Sequence, residues 1–157
     1  MKNKKTKIAI FGAGCFWGVE EAFRTTKGVV STQVGYSGGS YEKPSYEDVC
    51  SGITGHTEVV KVEYNSDKIS YKELLKVFWE IHNPTQINRQ GPDIGSQYLS
   101  VIFYFDEAQK KDAQSSLKEE QKNHDRPIAT KIEKAKEFYK AEEYHQKYVM
   151  KTGRKVC

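Results

Sequence analysis

The chain has 157 residues, 37% of them hydrophobic and 29% charged, with a mean hydropathy of −0.74. That length suits one domain whose core can shield a site from water, and the polar balance suits a soluble globular surface. The formal charge of +4 comes from 25 basic and 21 acidic side chains that alternate along the sequence, so neither nucleic acid nor a membrane is expected as the main partner.

Met1-Lys2-Asn3-Lys4-Lys5 has the charge of a secretory leader. The apolar run behind it, 8–11, is about half the ~7-residue minimum of such a leader and meets Gly12. No stretch approaches the ~20 apolar residues of a membrane span, so a cytoplasmic protein with a flexible start at 1–6 is expected.

Residues 8–11 predict a buried strand, and 16–24 a short helix with Val19, Ala22 and Phe23 turned inward. Between them lies Gly14-Cys15-Phe16-Trp17-Gly18. A cysteine at a helix start faces unsatisfied backbone N–H groups and the positive end of the helix dipole, and both favour the thiolate. Cys15 is therefore expected to be a reactive nucleophile. Gly12-Ala13-Gly14 imitates the opening of a dinucleotide loop, but Trp17 stands where the third glycine is needed, and Phe16-Trp17 would obstruct a pyrophosphate.

The alternating, β-branched run 29–36 predicts a strand ending at Ser37-Gly38-Gly39-Ser40. Tyr46-Glu47-Asp48-Val49 has a helical look and leads to Cys50, which is assigned to packing. In Gly55-His56-Thr57-Glu58 a turn feeds a second alternating strand, 58–64, with Val60, Val62 and Tyr64 on one face, before a turn at Asn65-Ser66-Asp67. Glu58 is either a surface carboxylate at a strand end or, inside a closed apolar site, an acid whose desolvation raises its pKa from ~4.3 toward neutrality. His56 is expected to be a loop histidine satisfied by backbone, with the base of a cysteine hydrolase as the alternative.

Ser70-Tyr71-Lys72-Glu73 is a capping box. It opens a helix in which Leu74, Val77, Phe78 and Ile81 keep a helical period and which stops before Pro84. The long polar loop from His82 onward is expected to be functional; Asp93 and Tyr98 either hydrogen-bond a small polar group or only tie the loop together. Residues 98–105 predict a strand, Asp106 caps a long polar helix to about 123, and 128–132 predict a final strand. The order β-α-β-β-α-β plus an added helix and strand predicts an α+β fold, a ferredoxin-like split βαβ two-layer sandwich. The whole of 1–157 is then one catalytic domain, in which 137–157 forms a wrapping C-terminal tail that carries Cys157 at a mobile end. Cys15, Cys50 and Cys157 have no knuckle spacing and an odd count. No zinc site and no structural disulfide framework is expected, but transient redox chemistry between two of them is.

Gly14-Cys15-Phe16-Trp17-Gly18-Val19-Glu20, Gly35-Tyr36-Ser37-Gly38-Gly39, Gly52-Ile53-Thr54-Gly55-His56-Thr57-Glu58, Asn88-Arg89-Gln90-Gly91 and Tyr144-His145-Gln146 resemble, in order, blocks of the peptide methionine sulfoxide reductase A family. The resemblance covers roughly residues 8–148. It implies a thioredoxin-dependent oxidoreductase that reduces the S-epimer of methionine sulfoxide, free or in proteins, as repair after oxidative damage. It also implies a monomer with no metal or organic cofactor. By the same resemblance Cys15 is the nucleophile, and Phe16 with Trp17 forms the pocket for the substrate's S-methyl group. Glu58 would protonate the sulfoxide oxygen, Tyr46 and Tyr98 would hydrogen-bond it, and Asp93 would help hold the substrate's main chain. Cys157 would resolve the Cys15 sulfenic acid as a disulfide. Two positions depart from the family pattern: Leu99 stands where an arginine is common, and the tail has one cysteine, which leaves a one-step disulfide relay. On the residues alone two other classes stay open: a cysteine hydrolase using Cys15 with His56 or His145, and a ferredoxin-like binding module with a redox-sensing thiol.

Overall fold

The computed structural model describes residues 6–39, 45–50, 55–87, 89–90 and 93–153. The chain runs through strand β1 (Thr6–Ala13), helix α1 (Phe16–Arg24), β2 (Val29–Ser37), α2 (Tyr46–Cys50), β3 (Thr57–Asn65) and α3 (Tyr71–Glu80). Two short strands follow, β4 (Arg89–Gln90) and β5 (Asp93–Ile94), then a 3-10 turn (Ser96–Tyr98), β6 (Ser100–Tyr104) and α4 (Glu107–Gln121). The last part holds β7 (Lys131–Lys134), β8 (Tyr139–Lys140), a second 3-10 turn (Glu143–His145) and α5 (Tyr148–Thr152).

Six strands form one sheet in the order β7-β6-β1-β3-β2-β8. The inner four are antiparallel neighbours. The crossover from β1 through α1 to β2 passes over β3, and the one from β3 through α3 to β6 passes over β1, which is the expected split βαβ arrangement. β7 then adds parallel to β6, and β8 antiparallel to β2.

Strand alternation sends Ala9, Phe11 and Ala13 into the main core, while Ile10 joins a smaller core on the opposite face. Phe11, fully buried, stacks on Phe23 of α1 at 5.1 Å and meets Phe78 and Tyr71 of α3 at 5.3 and 6.0 Å between ring centroids. The smaller core of Ile10, Val59, Val101 and Phe103 is lidded by Phe138 from the C-terminal segment. α3 opens as its capping box requires: Ser70 Oγ accepts the Glu73 N–H at 3.1 Å, and Glu73 Oε1 accepts the Ser70 N–H at 3.3 Å. Among the described residues no helix is long and apolar enough to cross a membrane.

Several boundaries differ from expectation for identifiable reasons. Thr6 is already in β1, paired with Asn65, so the part of the expected flexible start that remains, 1–5, lies outside the described residues. Ala22 is half-buried, and the inner face of α1 instead takes Phe16, Trp17 and Glu20 beside Val19 and Phe23. Tyr98 does not open a strand: its N–H closes onto the Gly95 carbonyl at 3.0 Å, after a glycine with φ of 144°, which makes a 3-10 turn. The final strand is 131–134 rather than 128–132. Upstream, the Ile128 N–H donates to Gln121 Oε1 and the Ala129 N–H to the Pro84 carbonyl, which withholds both residues from the ladder.

Past the end of α3, His82 carries a polar chain into the space between helix and sheet. Nδ1 donates to the Phe78 carbonyl at 2.6 Å, so in the neutral ring Nε2 accepts, from Ser100 Oγ at 2.7 Å. Ser100 Oγ in turn accepts from Thr130 Oγ1 at 2.7 Å. Burial pushes the His82 pKa down from 6.5 to about 4, against the hydrogen bond it donates to the Phe78 carbonyl, which favours the charged form. The unfolded chain therefore binds this proton more readily, so the contribution is intact above the free-imidazole value and is lost as pH falls from 6.5 toward 4. The full loss is about 3 kcal/mol. Urea unfolding at neutral pH and near pH 4.5 should show His82→Gln losing roughly 2–3 kcal/mol less than the parent over that interval. Equal losses would remove His82 as the acid-sensitive group.

Candidate active site

The polypeptide leaves β1 through Gly14, whose φ is 99° and whose Cα faces Gln90 so closely that an added Cβ would lie 2.9 Å from Gln90 Cβ. Any other residue there would be strained twice over. Cys15 follows as the N-cap of α1 with φ −57° and ψ 123°, and its side chain makes no capping hydrogen bond. Its carbonyl accepts the Val19 N–H at 3.4 Å. Cys15 is 9% exposed and is disulfide-bonded. The chain's other cysteines are Cys50, in α2, and Cys157, which lies with 154–156 outside the described residues. Beside Cys15 opens a cleft of about 390 Å³ lined by Gly18, Val19 and Ala22 of α1 and by Ile81, His82 and Gln90.

Glu58 stands opposite Tyr36 in the β2–β3 ladder and is fully buried. Its Oε1 accepts the Phe16 N–H at 3.2 Å. The surface-carboxylate alternative is thereby overturned: the start of α1 lies over this end of β3, and the carboxyl satisfies a backbone donor of the first helical turn. Its anchor is the residue directly after the disulfide-bonded cysteine.

Aromatic rings wall the same place. The fully buried Phe16 ring lies 5.7 Å from Tyr36, 6.4 Å from Tyr46 and 5.1 Å from His145. Trp17 stacks on Tyr148 at 3.8 Å with 10° between planes, and its indole Nε1 donates to His145 Nδ1 at 2.9 Å. Glu142 ties the walls together, accepting from the Tyr36 hydroxyl through Oε1 and from the Tyr46 N–H through Oε2, each at 2.9 Å. Burial works against the Glu142 carboxylate, but these hydrogen bonds hold it below the usual carboxylate range. Burial and the Glu142 partner push the Tyr36 hydroxyl far up, so it stays a donor.

Two further side chains fasten the C-terminal segment to this centre. Glu20, buried on the inner stripe of α1, accepts from Thr32 Oγ1 at 2.8 Å and from the Lys147 N–H at 2.6 Å. Lys147 is the one non-glycine with positive φ among the described residues, at 53°. The Gln146 amide grips Val34, with Oε1 accepting its N–H and Nε2 donating to its carbonyl, both at 2.9 Å. Sequence reasoning gave no role to Glu20, Tyr36, Glu142, Gln146 or Tyr148. A signal existed for Glu20, a carboxylate on the apolar spacing of Phe16, Val19 and Phe23.

Of the other expected residues, Tyr98 is buried within the core cluster that contains Cys15 and Phe16 and against which Tyr46 packs. Asp93 pairs through its backbone with Gln90, whose side chain clamps the Asn83 backbone and lies against Gly14. His56 Nδ1 accepts the Gly39 N–H at 3.0 Å, as a backbone-satisfied loop histidine should. His145 Nδ1 accepts from Trp17. In both rings the basic nitrogen is already engaged, which argues against a hydrolase base. Among the described residues no group of three or more His, Cys, Asp or Glu converges as metal ligands.

A family model described as peptide methionine sulfoxide reductase matches residues 7–157. The peptide methionine sulfoxide reductase MsrA of Methanothermobacter thermautotrophicus is 58% identical over 152 residues, covering 95% of this chain and 89% of its own. Mxr1 of Saccharomyces cerevisiae in reduced form has a TM-score of 0.93 at 39% identity, over 99% of this chain and 91% of its own. Mxr1 in complex with Trx2 has a TM-score of 0.66 at 30% identity, over 94% and 87%. Matched along nearly its whole length and built around a cysteine that opens a helix beside a buried glutamate, the chain belongs to the peptide methionine sulfoxide reductase family.

Proposed function

We propose that the chain reduces the S-epimer of methionine sulfoxide to methionine, in oxidised proteins and as the free amino acid, and that thioredoxin restores it. The observation that carries this is the Glu58 carboxyl, fully buried and bonded to the N–H of the residue after Cys15. Sulfoxide sulfur is a poor electrophile until its oxygen is protonated, so a thiolate and a proton-bearing acid must act together. The start of α1 favours the thiolate of Cys15, and Glu58 supplies the proton.

Cys15 Sγ attacks the sulfoxide sulfur while its oxygen takes the Glu58 proton with help from the Tyr46 and Tyr98 hydroxyls; the hydroxyl then passes from the methionine sulfur to Sγ as the transient Sγ–S bond breaks, and methionine departs. The oxygen remains on Cys15 as a sulfenic acid. The Cys157 thiol displaces it as water and forms the Cys15–Cys157 disulfide, which the thioredoxin dithiol reduces by exchange. The net reaction turns one sulfoxide and one dithiol into one thioether, one disulfide and one water. Phe16 and Trp17 seat the methyl group, and Asp93 holds the substrate backbone. The disulfide at Cys15 and the solved complex of Mxr1 with Trx2 support the recycling half. A thiol that must be re-reduced each cycle suits a reducing cytoplasm, and a self-contained core suits a monomer.

The test is epimer-resolved. Peptides containing either methionine sulfoxide epimer, incubated with the protein and dithiothreitol, should lose one oxygen mass from the S-epimer alone. An unchanged S-epimer overturns the reading.

A further inference from the structure

His145 is fully buried and comes from the 3-10 turn near the end of the chain. Its Nδ1 accepts the Trp17 indole N–H at 2.9 Å. An indole nitrogen only donates, so Nδ1 carries no proton and the neutral ring holds its proton on Nε2. That Nε2 is buried and has no hydrogen-bond partner among the described residues. The ring is wedged among Tyr144, Tyr46 and Phe16, with centroids 4.0, 4.5 and 5.1 Å away.

We propose that His145 is the positioning residue of the methyl pocket: by accepting the indole proton at Nδ1 it fixes the Trp17 ring against Tyr148 in the orientation that receives the substrate. This rests on the reading of Trp17 as a pocket wall. Protonation of Nδ1 would set one donor against another and release the indole. From α1 the ring meets Phe16 and Trp17, from α2 Tyr46, and from its own segment Tyr144 and the nearby Glu142, with Lys147 two residues on. Burial lowers its pKa, and the attraction of Glu142 offsets that in part. Trp17 is therefore held at neutral pH and released on acidification.

Two variants separate the acceptor from the ring. His145→Asn places Oδ1 close to the position of Nδ1, and His145→Phe keeps an aromatic ring without an acceptor. With dithiothreitol as reductant and N-acetylmethionine-S-sulfoxide as substrate, His145→Phe should raise KM about tenfold while kcat changes by no more than about twofold, the effect of one lost buried hydrogen bond. His145→Asn should stay within about threefold of the parent KM at neutral pH. The parent KM should climb as pH falls below that of a free imidazole, and that climb should be missing in His145→Asn. Parent-like KM in His145→Phe, or an acid climb that persists in His145→Asn, overturns the proposal. The Asn profile stands even if the Phe variant fails to fold. Trp17→Phe distinguishes the two layers: unchanged KM there removes the pocket wall itself, whereas raised KM there with parent-like His145→Phe removes His145 alone.

Discussion

Glu58→Gln should lower methionine sulfoxide reduction by about 10²- to 10³-fold while leaving the alkylation rate of Cys15 within about threefold. The amide keeps the size of the side chain and an oxygen for the Phe16 N–H, so the start of α1 and the environment of the thiol survive. It has no ionisable proton to give the sulfoxide oxygen. The two rates separate acid catalysis from scaffolding: iodoacetamide needs the thiolate but no acid, whereas the sulfoxide needs both. Equal losses in the two rates would mean that Glu58 holds the helix and does not act on the substrate.

Cys157→Ser should release one equivalent of methionine per protein and then stop with thioredoxin as reductant, whereas Cys50→Ala should keep cycling. Cys15 is disulfide-bonded in a chain with two other cysteines. A second thiol must condense with the sulfenic acid before an outside dithiol can restore Cys15 by exchange. Full cycling in Cys157→Ser together with arrest in Cys50→Ala would transfer the resolving role to Cys50.

The sheet and its helices were legible because their signals are local. The inward turn of Val19 and Phe23, the capping box at Ser70 and the alternation through Val60, Val62 and Tyr64 each depend on neighbours a few residues away. The place of Cys15 at a helix start was legible for the same reason, since the switch from strand to helix around Gly14 is written in adjacent residues. Glu58 stayed ambiguous because alternation cannot tell a solvated strand end from one that a distant helix start covers. The C-terminal walls were least legible. Trp17 and His145 are 128 residues apart, and Glu20 meets Lys147 across 127. Segment 137–157 is polar and has no repeat to give its role away. Its grip depends on single side chains, Glu142, Gln146 and Tyr148, each of which finds its partner on an element about a hundred or more residues away in the chain: Tyr36 and Tyr46, Val34, and Trp17.

The most direct measurement follows the oxygen atom. Cys157→Ser protein, fully reduced and then freed of reductant, is mixed with a methionine-S-sulfoxide peptide and a sulfenic-acid trap, and both products are read by mass spectrometry. Methionine should form in a one-to-one ratio with protein, with the trap attached to Cys15. Methionine formed equally well by a Cys15→Ala protein, or a trap found on any other residue, would contradict the mechanism.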